Sequence, residues 1–84
     1  MNKEWYVYIV QCSDDSLYTG ISTDIARRIL EHNNSKKGAK YTKTRRPVNL
    51  VYSEQHTDRS TASKREYYIK KLNRKDKLNL IAWY

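Results

Sequence analysis

Eighty-four residues carrying a formal net charge of +8, with a pI near 9.7, make one domain (residues 1–84) with one small core and exclude a second. No apolar run is long enough to span a bilayer and Met1-Asn2-Lys3-Glu4 has no signal-peptide pattern, so a soluble cytoplasmic protein with no membrane partner is expected. The charge points to a polyanion, nucleic acid ahead of an anionic membrane surface, and eight Tyr and two Trp with no Phe lean the same way; a merely basic soluble protein is the plainer account.

Tyr6-Val7-Tyr8-Ile9-Val10 reads as a buried or half-buried strand within Trp5–Cys12. Ser13-Asp14-Asp15-Ser16 is a turn cluster, and Leu17–Ile21 returns as the second strand of a hairpin. The lone Cys12 has no partner for an internal disulfide and reads as a small buried hydrophobe. Side chains alternate faces along a strand, so Tyr8 and Tyr18 share a face only if the loop is odd or a bulge intervenes. A two-residue Asp14-Asp15 turn would separate them. Gly20 is either a bulge glycine or a bare spot where a ligand or backbone can approach.

Ser22-Thr23-Asp24 offers capping oxygens for a helix from about Asp24 to Asn33. Its inward stripe is Ile25, Ile29 and His32, with Arg28 on the flank and Ala26 and Leu30 further round. Asn34 to Pro47 has six basic residues and no acid, and reads as a long exposed loop. Its cations and aromatic, Lys36, Lys37, Lys40, Tyr41, Lys43, Arg45 and Arg46, suit contacts to phosphates and bases; a solvated linker is the bland account. Val48–Glu54 is a third strand. Thr57-Asp58-Arg59-Ser60 caps a second helix through about Leu72, with Ala62, Glu66, Ile69 and Asn73 inward and Leu72 and Tyr68 alongside. Glu66, the one carboxylate expected on an apolar face, needs a partner: Lys70 at i+4, a tyrosine hydroxyl, or a cation. Asn73 caps a last helix, Arg74 to about Trp83, with Leu78, Ile81 and Ala82 apolar. His56 falls in a polar turn with no partner pattern.

Tyr6-Val7-Tyr8 and Tyr18-Thr19-Gly20 stand where the two triplets of a GIY-YIG nuclease stand. Ten positions separate Tyr8 from Tyr18, ten more lead to Arg28 and four more to His32. With Glu66 later on, this resembles a GIY-YIG domain, and in size the chain is similar to the small stand-alone bacterial members. The resemblance covers nearly the whole chain. It implies an α/β (α+β type) domain, a three-stranded, mostly antiparallel sheet flanked by three helices. It also implies a metal-dependent DNA endonuclease, with a role in repair or recombination. The matching positions become Tyr18 as general base, Tyr8 and His32 in support, Arg28 as phosphate clamp and Glu66 as ligand of Mg²⁺ (or Mn²⁺). The sequence departs from the family pattern at Tyr6, where the first glycine stands, and at Ile21, where the excision-repair relatives carry Lys. An Asn expected late in the domain has two candidates, Asn73 and Asn79.

A single-carboxylate site suits Mg²⁺, which keeps its own waters and takes phosphate oxygens. Tyrosine ionises near pH 10, so a phenolate near pH 7 costs about 4 kcal/mol before neighbouring cations help. His32 is the rival base, since imidazole titrates nearer neutrality. Two other functions stand beside the nuclease. One is a non-catalytic nucleic-acid-binding module on the same fold, and the other a protein-interaction adaptor. Oligomeric state and a targeting partner are not legible.

Overall fold

The computed structural model describes residues 4–82, so Trp83 and the first three residues lie outside the described part. In chain order the elements are β1 (Trp5–Gln11), β2 (Leu17–Ser22), α1 (Ile25–Asn34), α2 (Lys40–Lys43), β3 (Asn49–His56), α3 (Arg59–Lys71) and α4 (Arg74–Ala82). The strands form one antiparallel sheet in the order β2-β1-β3. The expected α+β architecture is present, with one correction. Beside the three long helices the described residues hold a fourth, because the basic loop closes one helical turn, α2. That turn has no apolar period to announce it. Among the described residues no helix is long and apolar enough to cross a membrane.

The hairpin loop is odd. Gln11 pairs with Leu17, leaving residues 12–16 as the turn, so Tyr8, Val10, Tyr18 and Gly20 share one face. Cys12 N–H donates to the Ser16 carbonyl at 2.8 Å, and Asp15 adopts φ 67°, a conformation Asp tolerates better than most residues. A bulge between Ile9 and Val10 puts Val51 and Tyr52 opposite Ile9 and turns both toward the same cluster.

Each face of the sheet has its own core. On one side Val7, Ile9 and Tyr52 pack on Ala62 and Ile69 of α3, with Leu80 and Ile81 of α4 at the margin. On the other, Tyr8, Val10, Cys12 and Val48 pack under Ile25 and Ile29 of α1. The helix ends are closed from within the sequence. Asp24 accepts the Arg27 amide at 3.1 Å, Asp58 the Thr61 amide at 2.8 Å and Asn73 the Asp76 amide at 2.8 Å. At the other end of α1, Arg46 donates to the carbonyls of Glu31, His32 and Ser35. The His32 carbonyl it meets is in the last turn, beyond the last intrahelical bond, which the Ser35 amide makes to Glu31.

On α3 the expected inward stripe needs correction. Ala62 and Ile69 are fully buried, and Glu66 is half-buried. Tyr68 is 56% exposed, and Asn73 is past the helix end, exposed and capping α4. Asn79 is exposed as well.

Candidate functional site

The Tyr8 side chain lies across Gly20, its direct partner on β2. A β-carbon at Gly20 would stand 2.5 Å from the Tyr8 hydroxyl oxygen and 2.7 Å from Cζ. The bare spot expected beside the ring is therefore filled by the ring itself. The hydroxyl meets His32 Nε2 at 2.7 Å, and both side chains are buried. His32 Nδ1 lies 3.3 Å from the Ala39 amide and 3.0 Å from Thr42 Oγ1. A backbone N–H can only donate, so Nδ1 accepts and Nε2 carries the proton toward Tyr8. Burial first, then the charges of Arg28 and Arg46, push the His32 pKa down to about 4 against an opposing pull from Glu31. His32 is therefore neutral at pH 7.

The Tyr8 hydroxyl is pushed up to about 12, chiefly by burial. Arg28 pulls the other way, while the charges of Tyr18 and Glu66 add to the rise. Tyr8 is neutral at pH 7. Arg28 Nη1 donates to Glu31 Oε1 at 3.1 Å and to the Lys37 carbonyl at 2.8 Å, which holds the guanidinium beside the Tyr8 hydroxyl. Its side chain keeps 25% of its surface exposed.

Tyr18 is the more accessible tyrosine, half-buried where Tyr8 is covered. His32 meets its ring edge-on at a centroid distance of 5.4 Å. Tyr41 stacks on Tyr18 at 5.9 Å, and the Arg45 guanidinium lies 3.9 Å from the Tyr41 ring centroid. Arg45 is in turn paired with Asp14 of the hairpin loop at 3.1 Å, and its carbonyl accepts the Ser13 amide at 2.9 Å. The hairpin loop and the basic segment thus clasp each other around a stack running from His32 through Tyr18 and Tyr41 to Arg45.

Glu66 comes from α3, on the other side of the sheet. Its side chain is 22% exposed and pairs with Lys70 at 3.4 Å, the i+4 pair weighed from sequence. Its charge nevertheless registers at Tyr8. Among the described residues no three His, Cys, Asp or Glu side chains gather as metal ligands. A lone half-exposed carboxylate is a donor set that fits a hard divalent cation retaining most of its waters.

The basic segment divides in two. Lys36, Lys37, Lys40 and Lys43 are exposed. Arg46, expected among them, turns inward to the α1 carbonyls, and Arg45 is engaged by Tyr41 and Asp14. Gly38 lets this segment press on α1, since a β-carbon there would meet the Glu31 carbonyl at 2.7 Å.

Ala39 and Thr42, which hold His32, escaped the sequence reading, and so did Glu54. Glu54 and Glu31 are half-buried carboxylates beside Glu66, which was expected to be the one internal acid. Glu54 accepts from Tyr52 and Arg65, and His56 Nε2 lies 2.6 Å from it. Burial opposes its charge, yet hydrogen bonds from Tyr52, His56 and Arg65 hold its pKa below the usual carboxylate range. His56, expected to be partnerless, has this partner. Its i+2 spacing from Glu54 on one strand was the available signal.

The model of the GIY-YIG catalytic domain matches residues 4–79. A UPF0213 protein of Desulfotalea psychrophila is 65% identical over 77 residues, 92% of this chain and 70% of that one. One from Staphylococcus saprophyticus is 58% identical over 77 residues, 92% and 93% of the two chains. Solution NMR structures of a UPF0213 protein from Bacillus halodurans and of a protein from E. faecalis are each 44% identical, with TM-scores of 0.62 and 0.66. Each covers 95% of this chain and 84% of its own.

Proposed function

The chain belongs to the GIY-YIG catalytic-domain family, a nuclease family, and on that premise we propose that it is a divalent-metal-dependent DNA endonuclease. The observation that carries the reading is the meeting of Tyr8, Tyr18, Arg28 and His32 on one face of the sheet. A fold alone does not require that meeting.

In this reading Tyr18, the tyrosine that solvent reaches, first gives its own proton to solvent and then, as the phenolate, takes the proton from the attacking water. Tyr8 stays protonated and His32 holds it. A neutral, buried imidazole with both nitrogens engaged suits an orienting role better than a base. Arg28 presents its guanidinium to the scissile phosphate and offsets charge gathering there. Glu66 is the residue that would hold Mg²⁺ or Mn²⁺, which when bound supplies Lewis-acid stabilisation of the leaving oxygen. Lys36, Lys37, Lys40 and Lys43 bind the flanking backbone, and Tyr41 with Arg45 keeps Tyr18 in place. Arg46 acts on α1, not on the substrate. Action on repair or recombination intermediates belongs to the same proposal.

The test is cleavage of labelled duplex, single-stranded, flap and four-way-junction DNA with Mg²⁺ or Mn²⁺ against EDTA. Metal-dependent products are expected, with branched substrates cut ahead of plain duplex. Tight binding at low salt without cutting in any arm would leave a binding module on this fold as the better account.

A further inference from the structure

The outward face of α3 carries features that neither the core nor the site uses. Tyr67 is 61% exposed and Tyr68 56%, adjacent on a helix whose buried stripe is Ala62 and Ile69. Helical neighbours lie three and four positions apart. Tyr67 is thus flanked by Lys64, Lys70 and Lys71, all exposed. The Lys71 ammonium lies 4.3 Å from the Tyr67 ring centroid and the Arg65 guanidinium 5.3 Å from that of Tyr68. An exposed aromatic pair of this size on a helix with only two fully buried residues adds nothing to the core. A cation approaches each ring, and both tyrosines still keep more than half of their surface exposed.

We infer that this face is a base-stacking platform for the unpaired part of a nucleic-acid substrate, with Tyr67 and Tyr68 stacking on bases and Lys64, Lys70 and Lys71 holding the phosphates. The inference rests on the nuclease reading for the position of the scissile phosphate. Lys70 is the link, since it pairs with Glu66 at 3.4 Å and is three positions from Tyr67. Lys70 thus borders both Glu66, the proposed metal-holding residue, and the Tyr67 ring. Charge complementarity selects the occupant. The face is cationic and the chain carries +8, so a polyanion fits. Stacking on exposed rings requires bases that are not paired, so a single-stranded flank fits where duplex does not. The substrate class is DNA with unpaired nucleotides beside the cut.

The test is fluorescence anisotropy of a labelled oligo-dT strand and of a matched duplex, at low salt in EDTA. The proteins are wild type, Tyr67→Ala/Tyr68→Ala and Tyr67→Phe/Tyr68→Phe, with thermal melts to show that each is folded. The double alanine variant should lose roughly tenfold or more of single-strand affinity and the double phenylalanine variant should keep it. Duplex affinity should change by no more than about twofold, because lysines carry that contact. Equal losses on strand and duplex, or no loss on either, would overturn the platform. So would binding of anionic vesicles that depends on the tyrosines while oligonucleotide binding does not. Binding in EDTA needs no catalysis, so this result separates from the nuclease reading. A chain that cuts but binds strand normally without the tyrosines keeps the nuclease and loses the platform. A chain that never cuts but needs the tyrosines for strand does the reverse.

Discussion

The two faces of the sheet solve the same packing problem with opposite treatment of their polar groups. Under α3, Tyr52, Glu54, His56 and Arg65 gather round one carboxylate, with Arg65 Nε donating to both Glu54 oxygens at 3.1 and 3.0 Å. Under α1, the buried centre is the hydrogen bond between Tyr8 and His32. Tyr8 and His32 are buried and neutral, and they back onto a half-exposed Arg28 and Tyr18. A carboxylate that takes its partners from β3 and α3 ties the two together. A guanidinium held on one side and open on the other can take a phosphate. In the proposed reading the base and the phosphate clamp belong to the α1 face, and α3 contributes Glu66 to the chemistry and Ile69 to stability.

Ile69→Ala should break the α3 face hardest, costing about 2–5 kcal/mol in urea unfolding, because a fully buried side chain leaves a cavity. Cleavage per folded molecule should survive it. Arg28→Ala should do the converse. It is expected to lower turnover about a hundredfold or more while thermal stability, read by circular dichroism, changes little. The acid limb of stability comes next. Unfolded His32 takes a proton near pH 6.5, whereas the folded protein resists until about 4. The contribution is fully present above pH 6.5 and is lost as pH falls toward 4, by roughly 3 kcal/mol. Urea midpoints across that range should drop for the wild type and flatten in His32→Gln. Gly20→Ala should cost about 1–3 kcal/mol, since its methyl meets the Tyr8 hydroxyl, and should slow cleavage by displacing that ring. Smallest is Asp15→Gly, which should raise stability by about 0.5 kcal/mol by relieving the positive φ of the hairpin turn.

Much of this was legible in the residues. The alternation in Tyr6–Val10 and the caps Asp24, Asp58 and Asn73 act locally, and local signals survive folding. The one-turn spacing of Arg28 and His32 delivered both to the α1 face. What escaped depends on contacts distant in sequence. Arg46 looked like its exposed neighbours, and only the approach of α1, whose last carbonyls it meets, distinguishes it. Thr42 sits in a cationic loop, and its burial follows from a bond to a histidine ten residues away. Tyr68 was expected near the core because α3 has so few apolar residues that its stripe is defined by Ala62 and Ile69 alone. The partners of Glu54 come from another element and from its own strand, and no single periodicity joins them.

The most direct measurement is cleavage of one flap substrate in Mg²⁺ by four purified proteins: wild type, Arg28→Ala, Tyr18→Phe and Glu54→Gln. Arg28→Ala and Tyr18→Phe should each lose turnover by about a hundredfold or more while remaining folded, and Glu54→Gln should cut like wild type after correction for its lower stability. Equal cutting by all four, or a loss confined to Glu54→Gln, would contradict the assignment of the base and the phosphate clamp to the α1 face.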